Sequence, residues 1–285
     1  MSGDADQPDG GVRRGVAVII VNYRTKELSA EAVRSVLGDP LVDEVVVVDN
    51  GSGDGSSGYL RSAFPGFDVQ VVESLTNLGF GGGANLGVSA TGAELVFFLN
   101  SDAVARPGAC GRLSQSLAED PDVGVVAPAV YLADGRTLQP DVYGPLPAPR
   151  PLLRTVPARR QRSSEGRELP PGWVSGVAMM MRRSDFAALG GFDPDFVMYL
   201  EDVDLCRRLQ SMGKRVVRET AASVVHLGGR SDASRASRTA QFHRSKAVYL
   251  RKAGASTLSR HSAAVLSVTR MSVERLRAGL ARRRG

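Results

Sequence analysis

Val16-Ala17-Val18-Ile19-Ile20-Val21-Asn22-Tyr23 is a run of small and β-branched apolar residues that stops abruptly at a polar pair. It shows no alternation, so it reads as a strand buried on both faces, as in a parallel sheet. The same pattern recurs outward from it. Glu44–Val48 (EVVVV) is a second buried strand and Val69–Glu73 a third. Glu94–Leu99 (ELVFFL) is a fourth and Val123–Ala127 a fifth. Helical spacing lies between them at Lys26–Leu37, Tyr59–Phe64, Gly83–Ala90 and Gly108–Leu117, with Pro107 at the last helix's start. Alternating buried strands and helices predict an open α/β fold with a mostly parallel, Rossmann-like central sheet flanked by helices.

In such sheets ligands bind at the carboxyl ends of the strands. Here those ends carry Asn22-Tyr23, Asp49-Asn50 and Asn100-Ser101-Asp102. Asn100 and Asp102 alternate, so both side chains can face one cation or one sugar. Oxygen ligands of this kind suit Mg²⁺ or Mn²⁺ bridging phosphates. Asn77–Asn85 is glycine-rich and is expected as a loop that lets backbone approach a ligand, or as a plain strand-to-helix turn. Its Gly79, Gly81 and Ala84 loosely match a dinucleotide fingerprint, but after the third strand rather than the first.

Residues 134–172 change character. Eight prolines fall between Pro140 and Pro171, so an irregular excursion is expected. Trp173–Met181 resumes as one strand and Ser184–Leu189 as a short helix. Phe192–Arg208 (FDPDFVMYLEDVDLCRR) then sets Asp195, Glu201, Asp202 and Asp204 among Phe192, Phe196, Met198, Tyr199 and Leu200. Carboxylates in an apolar wall are general-base candidates, although acidic residues in a helix's first turn also simply complement its dipole. On the helix Glu201–Met212, Asp204 has Arg208 four residues on, which predicts an ion pair. Asp202 has no such local partner and is the preferred base. Arg215–His226 is strand-like, and its last residue, His226, is a candidate metal ligand; from Arg238 onward the sequence is helical and basic.

The chain has 285 residues with 42% apolar and 23% charged, values ordinary for a globular protein with a sizeable core. Cys110 and Cys206 are the two cysteines, too few for a disulfide scaffold or a thiolate metal site, and consistent with a reducing compartment. Residues 1–14 read as a disordered leader without the apolar core of a signal peptide. No run reaches the roughly 18 apolar residues of a membrane span, so the expectation is a cytoplasmic protein. The net charge of +6 is uneven. From Arg207 to the end there are 19 Lys and Arg against 3 Asp and Glu, which leaves −10 on residues 1–206. A basic tail on an acidic body calls for an anionic partner.

Six motifs in order resemble the family 2 glycosyltransferases of GT-A fold, in particular their bacterial rhamnosyltransferase branch. They are VIIVNYR (Val18–Arg24), VVVDNGSGDGS (Val46–Ser56), NLGFGGGANLG (Asn77–Gly87), FFLNSDA (Phe97–Ala103), WVSGVAMMMRR (Trp173–Arg183) and GGFDPDFVMYLEDVDLCRRL (Gly190–Leu209). The resemblance implies a GT-A catalytic domain at residues 15–245, with a nucleotide-sugar-binding half at 15–130 and an acceptor half at 131–245. It puts Asn22, Asp49 and Asp54 around the nucleoside, and Asn77, Gly79 and Asn85 along the donor pocket. Asn100-Ser101-Asp102 stands where the family has its D-x-D metal motif. Asp102 would then carry the metal, with His226 as a second ligand. Trp173, Ser175, Gly176 and Glu201 would flank the acceptor, with Asp202 as base. The implied reaction is inverting transfer, with dTDP-L-rhamnose favoured over a UDP-sugar as donor. The implied acceptor is a glycan linked to polyprenyl diphosphate at the inner leaflet.

In residues 246–285, Val265, Leu266, Val268, Val273, Leu276 and Leu280 share one helical arc opposite Arg260, Arg275 and Arg282. A basic amphipathic helix of that kind can lie on an anionic membrane, or pack on the domain with a solvated basic face. Two readings from other classes stand beside the transferase. One is an NAD-dependent oxidoreductase, resting on Gly79–Ala84. The other is a nucleic-acid binder, and the tail's scarcity of aromatics (Phe242 and Tyr249) argues against it.

Overall fold

The computed structural model describes residues 13–147, 171–228 and 235–254. The first twelve residues of the expected leader, most of the proline-rich excursion and the tail from residue 255 lie outside them. Strand β1 (Arg13–Asn22) is followed by α1 (Lys26–Val36), β2 (Val42–Asn50), α2 (Ser56–Ser62), β3 (Val69–Ser74), α3 (Gly79–Ser89), β4 (Ala93–Leu99) and β5 (Ala103–Ala105). The chain continues through α4 (Ala109–Glu119), β6 (Val123–Tyr131), β7 (Tyr143–Gly144), β8 (Trp173–Val174), β9 (Ala178–Arg182), α5 (Arg183–Ala188), α6 (Glu201–Ser211), β10 (Arg215–His226) and α7 (Arg235–Lys252).

Eight strands form one sheet in the order β3-β2-β1-β4-β9-β6-β10-β5. Only β9 and β5 run against the others, so the sheet is mainly parallel, as expected for a GT-A fold. Strand β1 explains its own composition. Val16, Val18 and Ile20 face one core with Val33, Leu60 and Leu113, while Ala17 and Ile19 face the other with Ala84, Val88 and Leu205. Both faces are covered, so neither tolerates a polar position until Asn22, where the strand leaves the core. Among the described residues no helix is long and apolar enough to cross a membrane.

The structure departs from the sequence reading in five places. Strand β1 starts at Arg13, inside the expected leader. The glycine-rich stretch is not a loop: it is the first half of α3, pressed flat on the sheet. A Cβ at Gly83 would sit 2.7 Å from Val21 Cγ1, and one at Gly87 would sit 2.6 Å from Ile19 Cγ2, so glycine sets how closely the helix approaches. Trp173–Met181 is two strands, broken at Ser175–Val177, because Trp173 and Val174 pair with β7 while Ala178 onward joins the main sheet. The excursion after β6 begins as an ordered turn around Asp134-Gly135, with the Leu132 and Gln139 amides bonded to Thr137 O and Val130 O. Last, α7 runs through the expected boundary at residue 245, with Tyr249 and Leu250 buried and Tyr249 packed with Phe196 and Val203.

Candidate active site

The strand ends meet along one edge, as expected. Asn22 and Asp49 are in register on β1 and β2. Asn22 Nδ2 donates to Asp49 Oδ1 (3.0 Å) and Ser52 Oγ (3.2 Å), while its Oδ1 accepts from Ser29 Oγ (2.8 Å) and Thr25 Oγ1 (3.2 Å). The fully buried Asn22 amide is thus consumed in holding the β1 and β2 loops together. It fixes the relative position of the β1 and β2 ends. Thr25 Oγ1 also lies within hydrogen-bond distance of Ser101 Oγ (3.1 Å), which ties this edge to the Asn100–Asp102 loop.

Two residues expected at the donor site, Asp54 and Asn85, make local structural contacts. Asp54 is exposed, and its Oδ1 accepts from the amide and hydroxyl of Ser56 at the start of α2. The Ser56 hydroxyl is the main reason its carboxyl lies below the usual aspartate range. Asn85 points at the acidic loop: its Nδ2 donates to Phe192 O and its Oδ1 accepts the Phe192 amide, both at 2.8 Å. That clamp, with edge-on contacts of Phe192 to Phe80, Phe98 and Phe186, fixes the loop leading to Asp202. Each aromatic pair adds about 0.5–1.5 kcal/mol beyond burial. Asn77 Oδ1 accepts from the Gly79 amide (2.8 Å) and Asn50 Nδ2 (3.3 Å), so Asn77 and the buried Asn50 together set the entry to α3. Gly79 itself has φ +75°, and a Cβ there would lie 1.8 Å from Val197 O.

Asp102 and His226 do come together. His226 Nε2 is 3.1 Å from Asp102 Oδ1, and its Nδ1 is 2.8 Å from Gln139 Oε1. The pair brings one imidazole nitrogen and one carboxylate oxygen together, a donor set that would hold Mg²⁺ or Mn²⁺. Among the described residues no group of three or more His, Cys, Asp or Glu forms a metal cluster. The remaining ligands would have to be diphosphate oxygens and water, the usual pattern for Mg²⁺. Gln139 was not foreseen. The Asp134-Gly135 turn, a strong hairpin signal in the sequence, folds it back beside the end of β6.

Asp202 opens α6. Its Oδ2 accepts the Gly176 amide at 2.9 Å and its Oδ1 the Val203 amide at 2.8 Å. Ser175 also donates a side-chain hydrogen bond to it. One residue along from Gly176, Val177 O accepts the Asn100 amide at 2.9 Å. The break between β8 and β9 therefore joins Asp202 to the Asn100–Asp102 loop. Burial pushes the Asp202 carboxyl up against these hydrogen bonds. Glu201 is more buried, its Oε2 has no hydrogen-bond partner, and burial followed by the charge of Asp202 pushes it up too. Trp173 is half-buried between two core clusters. A Cβ on Gly176 would meet Phe80 Cε1 at 2.9 Å, so this wall of the site has no room for a side chain. Tyr199 and Leu200 enter α6 with φ of +70° and +67°, a left-handed conformation that costs about 1–3 kcal/mol per residue. Asp204 pairs with Arg208 as expected and also with Arg207, both at 2.7 Å, and Arg208 further donates to Leu189 O and Gly191 O.

Residues 17–190 match the profile of glycosyl transferase family 2. The chain belongs to that family. It is 31% identical over 230 residues to the N-acetylglucosaminyl-diphospho-decaprenol L-rhamnosyltransferase of Mycobacterium tuberculosis, covering 72% of this chain and 74% of the relative. It is 27% identical to the low-salt glycan biosynthesis hexosyltransferase Agl10 of Haloferax volcanii, over 68% of this chain and 61% of that one. In fold it is similar to the mannosyltransferase PcManGT of Pyrobaculum calidifontis, solved with GDP-Man and Mn²⁺. The TM-score is 0.59 at 19% identity, over 96% of this chain and 82% of that one. Staphylococcus aureus TarS residues 1–349 align with a TM-score of 0.56 at 15% identity, over 83% and 72% of the two chains. This glycosyltransferase is of the rhamnosyltransferase-like branch, and the oxidoreductase reading loses its basis because the fingerprint glycines lie within α3.

Proposed function

We propose that this glycosyltransferase moves L-rhamnose from dTDP-L-rhamnose to a polyprenyl-diphosphate-linked sugar, inverting the anomeric configuration, with Mg²⁺ or Mn²⁺ at Asp102 and His226. The observation that carries the reading is the link through Gly176 and Val177, which holds Asp202 and the Asn100–Asp102 loop to neighbouring residues. The named activity of the mycobacterial relative supports the sugar and the acceptor class.

The β1 and β2 loops, locked by Asn22 and Ser52, present Asp49 to the nucleoside. Asn22 and Ser52 both donate to Asp49 Oδ1, which leaves Oδ2 for a ribose hydroxyl or base amide. A divalent cation, when bound, supplies charge neutralisation for the departing diphosphate. The acceptor hydroxyl is seated against Trp173, Ser175 and Gly176. Asp202 takes its proton as the oxygen attacks the anomeric carbon from the face opposite the diphosphate. The Gly176 and Val203 amides keep enough of Asp202 ionised to act, while its apolar surroundings keep it basic. One in-line displacement needs no covalent intermediate.

Calorimetric titration with dTDP, UDP, GDP and NAD, each with and without Mn²⁺, tests this. Metal-dependent binding of dTDP above the others is the expected result. Preference for UDP would change the donor, and binding of NAD alone would remove the mechanism.

A further inference from the structure

The loop that delivers Asp202 also carries an unusual surface. Val197 is 51% exposed and Met198 40%, immediately before the strained pair Tyr199-Leu200. Leu78, at the start of α3, is 42% exposed and adjoins them, since Gly79 packs on the Val197 carbonyl. Leu75, in the same β3–α3 loop as Leu78, is fully exposed. On the other side, Phe242 of α7 is 39% exposed and lies edge-on to Tyr199 with ring centroids 6.1 Å apart. Scattered apolar residues on a surface are ordinary, but a contiguous patch beside a reaction site marks an interface.

The charge around the patch selects the partner. Helix α7 carries six Lys and Arg and no Asp or Glu. The acidic groups of the loop are already matched: Asp195 pairs with Arg251 at 3.1 Å and Lys252 at 2.9 Å, and Asp193 with Lys252 at 2.5 Å. Ser245 Oγ donates to Met198 O at 2.6 Å, so the basic helix is bonded directly to the apolar loop. Beyond α7, residues 255–285 add seven Arg against the single acid Glu274. Apolar side chains bordered by a basic helix match an anionic lipid surface: the side chains enter the headgroup region and the cations meet lipid phosphates.

We propose that Leu75, Leu78, Val197, Met198 and Phe242 form a rim that seats the enzyme on an anionic bilayer with the Asp202 loop facing the headgroups. This rests on the reading that the acceptor is lipid-linked. Its consequence is that a diphosphate-linked sugar reaches Asp202 sideways from the membrane, without leaving it.

The test uses the full chain and the triple variant Leu78→Ser, Val197→Ser, Met198→Ser in flotation with two kinds of vesicle. One is phosphatidylcholine with phosphatidylglycerol, the other phosphatidylcholine alone. Wild type is expected to float with the anionic vesicles only, and the variant's bound fraction to fall about tenfold or more. Calorimetric nucleotide binding, unchanged in the variant, shows that it is folded with its donor edge intact. Equal flotation of variant and wild type overturns the proposal, as does failure of wild type to float. A wild-type dimer in solution that the variant lacks would assign the rim to a second copy and overturn it as well. If wild type binds no nucleotide yet floats in a rim-dependent way, the substrate reading fails while the rim stands.

Discussion

The Gly176 amide donates to Asp202 Oδ2 at 2.9 Å, and this one bond joins the β8–β9 break to the start of α6. Both Asp202 oxygens accept from backbone amides, so the carboxylate is aimed before any substrate arrives. Replacing Asp202 with Asn turns an NH₂ toward one of those amides and removes the proton acceptor. The expected result is a transfer rate lower by about 10²–10⁴-fold. Nucleotide affinity by calorimetry stays near wild type, because Asp49 and the Asn22 knot are untouched. A rate close to wild type would mean another group takes the proton.

Glu201 predicts a pH dependence of stability. Burial, and then the charge of Asp202, raise its carboxyl above the ordinary 4.5, and burial raises Asp202 above 3.8. Over the interval between the unfolded and folded values the native state holds protons that the unfolded chain has released. Stability is therefore full below the unfolded values and declines as pH rises through the folded ones. Glu201→Gln keeps the shape without the titration. Its thermal midpoint should fall less than that of wild type between roughly pH 5 and 8. Parallel curves for the two proteins would show that Glu201 ionises normally.

The strands and the acidic edge were legible because buried parallel strands cannot hide. Val18 to Val21 admits nothing polar, and Asn22 marks where the sheet ends. Asp204 and Arg208 were legible from spacing along one helix. What the sequence could not reveal were partnerships across distance. Asn85 and Phe192 meet over more than a hundred residues, so the amide of Asn85 clamps the loop leading to Asp202. The glycines of α3 looked like a loop because low helix propensity is a local signal, and packing against Val21 and Ile19 overrides it.

Gln139 and His226 give a test of the proposed cation site that does not depend on turnover. With the proton on Nδ1 donated to Gln139 Oε1, the Nε2 lone pair would be free for a cation held at Asp102, as outer partners of metal-binding histidines arrange. Gln139→Leu removes that partner. Mn²⁺ affinity measured calorimetrically with dTDP present should weaken about 10–100-fold, while dTDP affinity without metal is unchanged. An unaltered Mn²⁺ affinity would take His226 out of the ligand set.

Gly87 decides between two opposing effects of known size. It sits inside α3, where alanine is favoured over glycine by about 0.8–1.0 kcal/mol on helix propensity alone. A Cβ there would lie 2.6 Å from Ile19 Cγ2 and 3.1 Å from Val48 Cγ2. Both neighbours are β-branched side chains fixed in buried strands, so neither can swing aside, and overpacking of this kind costs about 1–3 kcal/mol. The steric term wins, and Gly87→Ala is expected to lower the thermal midpoint although it improves the helix. Gly58, on the exposed face of α2 with open space around its Cβ, is the matched control, and Gly58→Ala should raise the midpoint. If both variants gain stability, α3 can lift from the sheet, and close packing is not what fixes the donor edge.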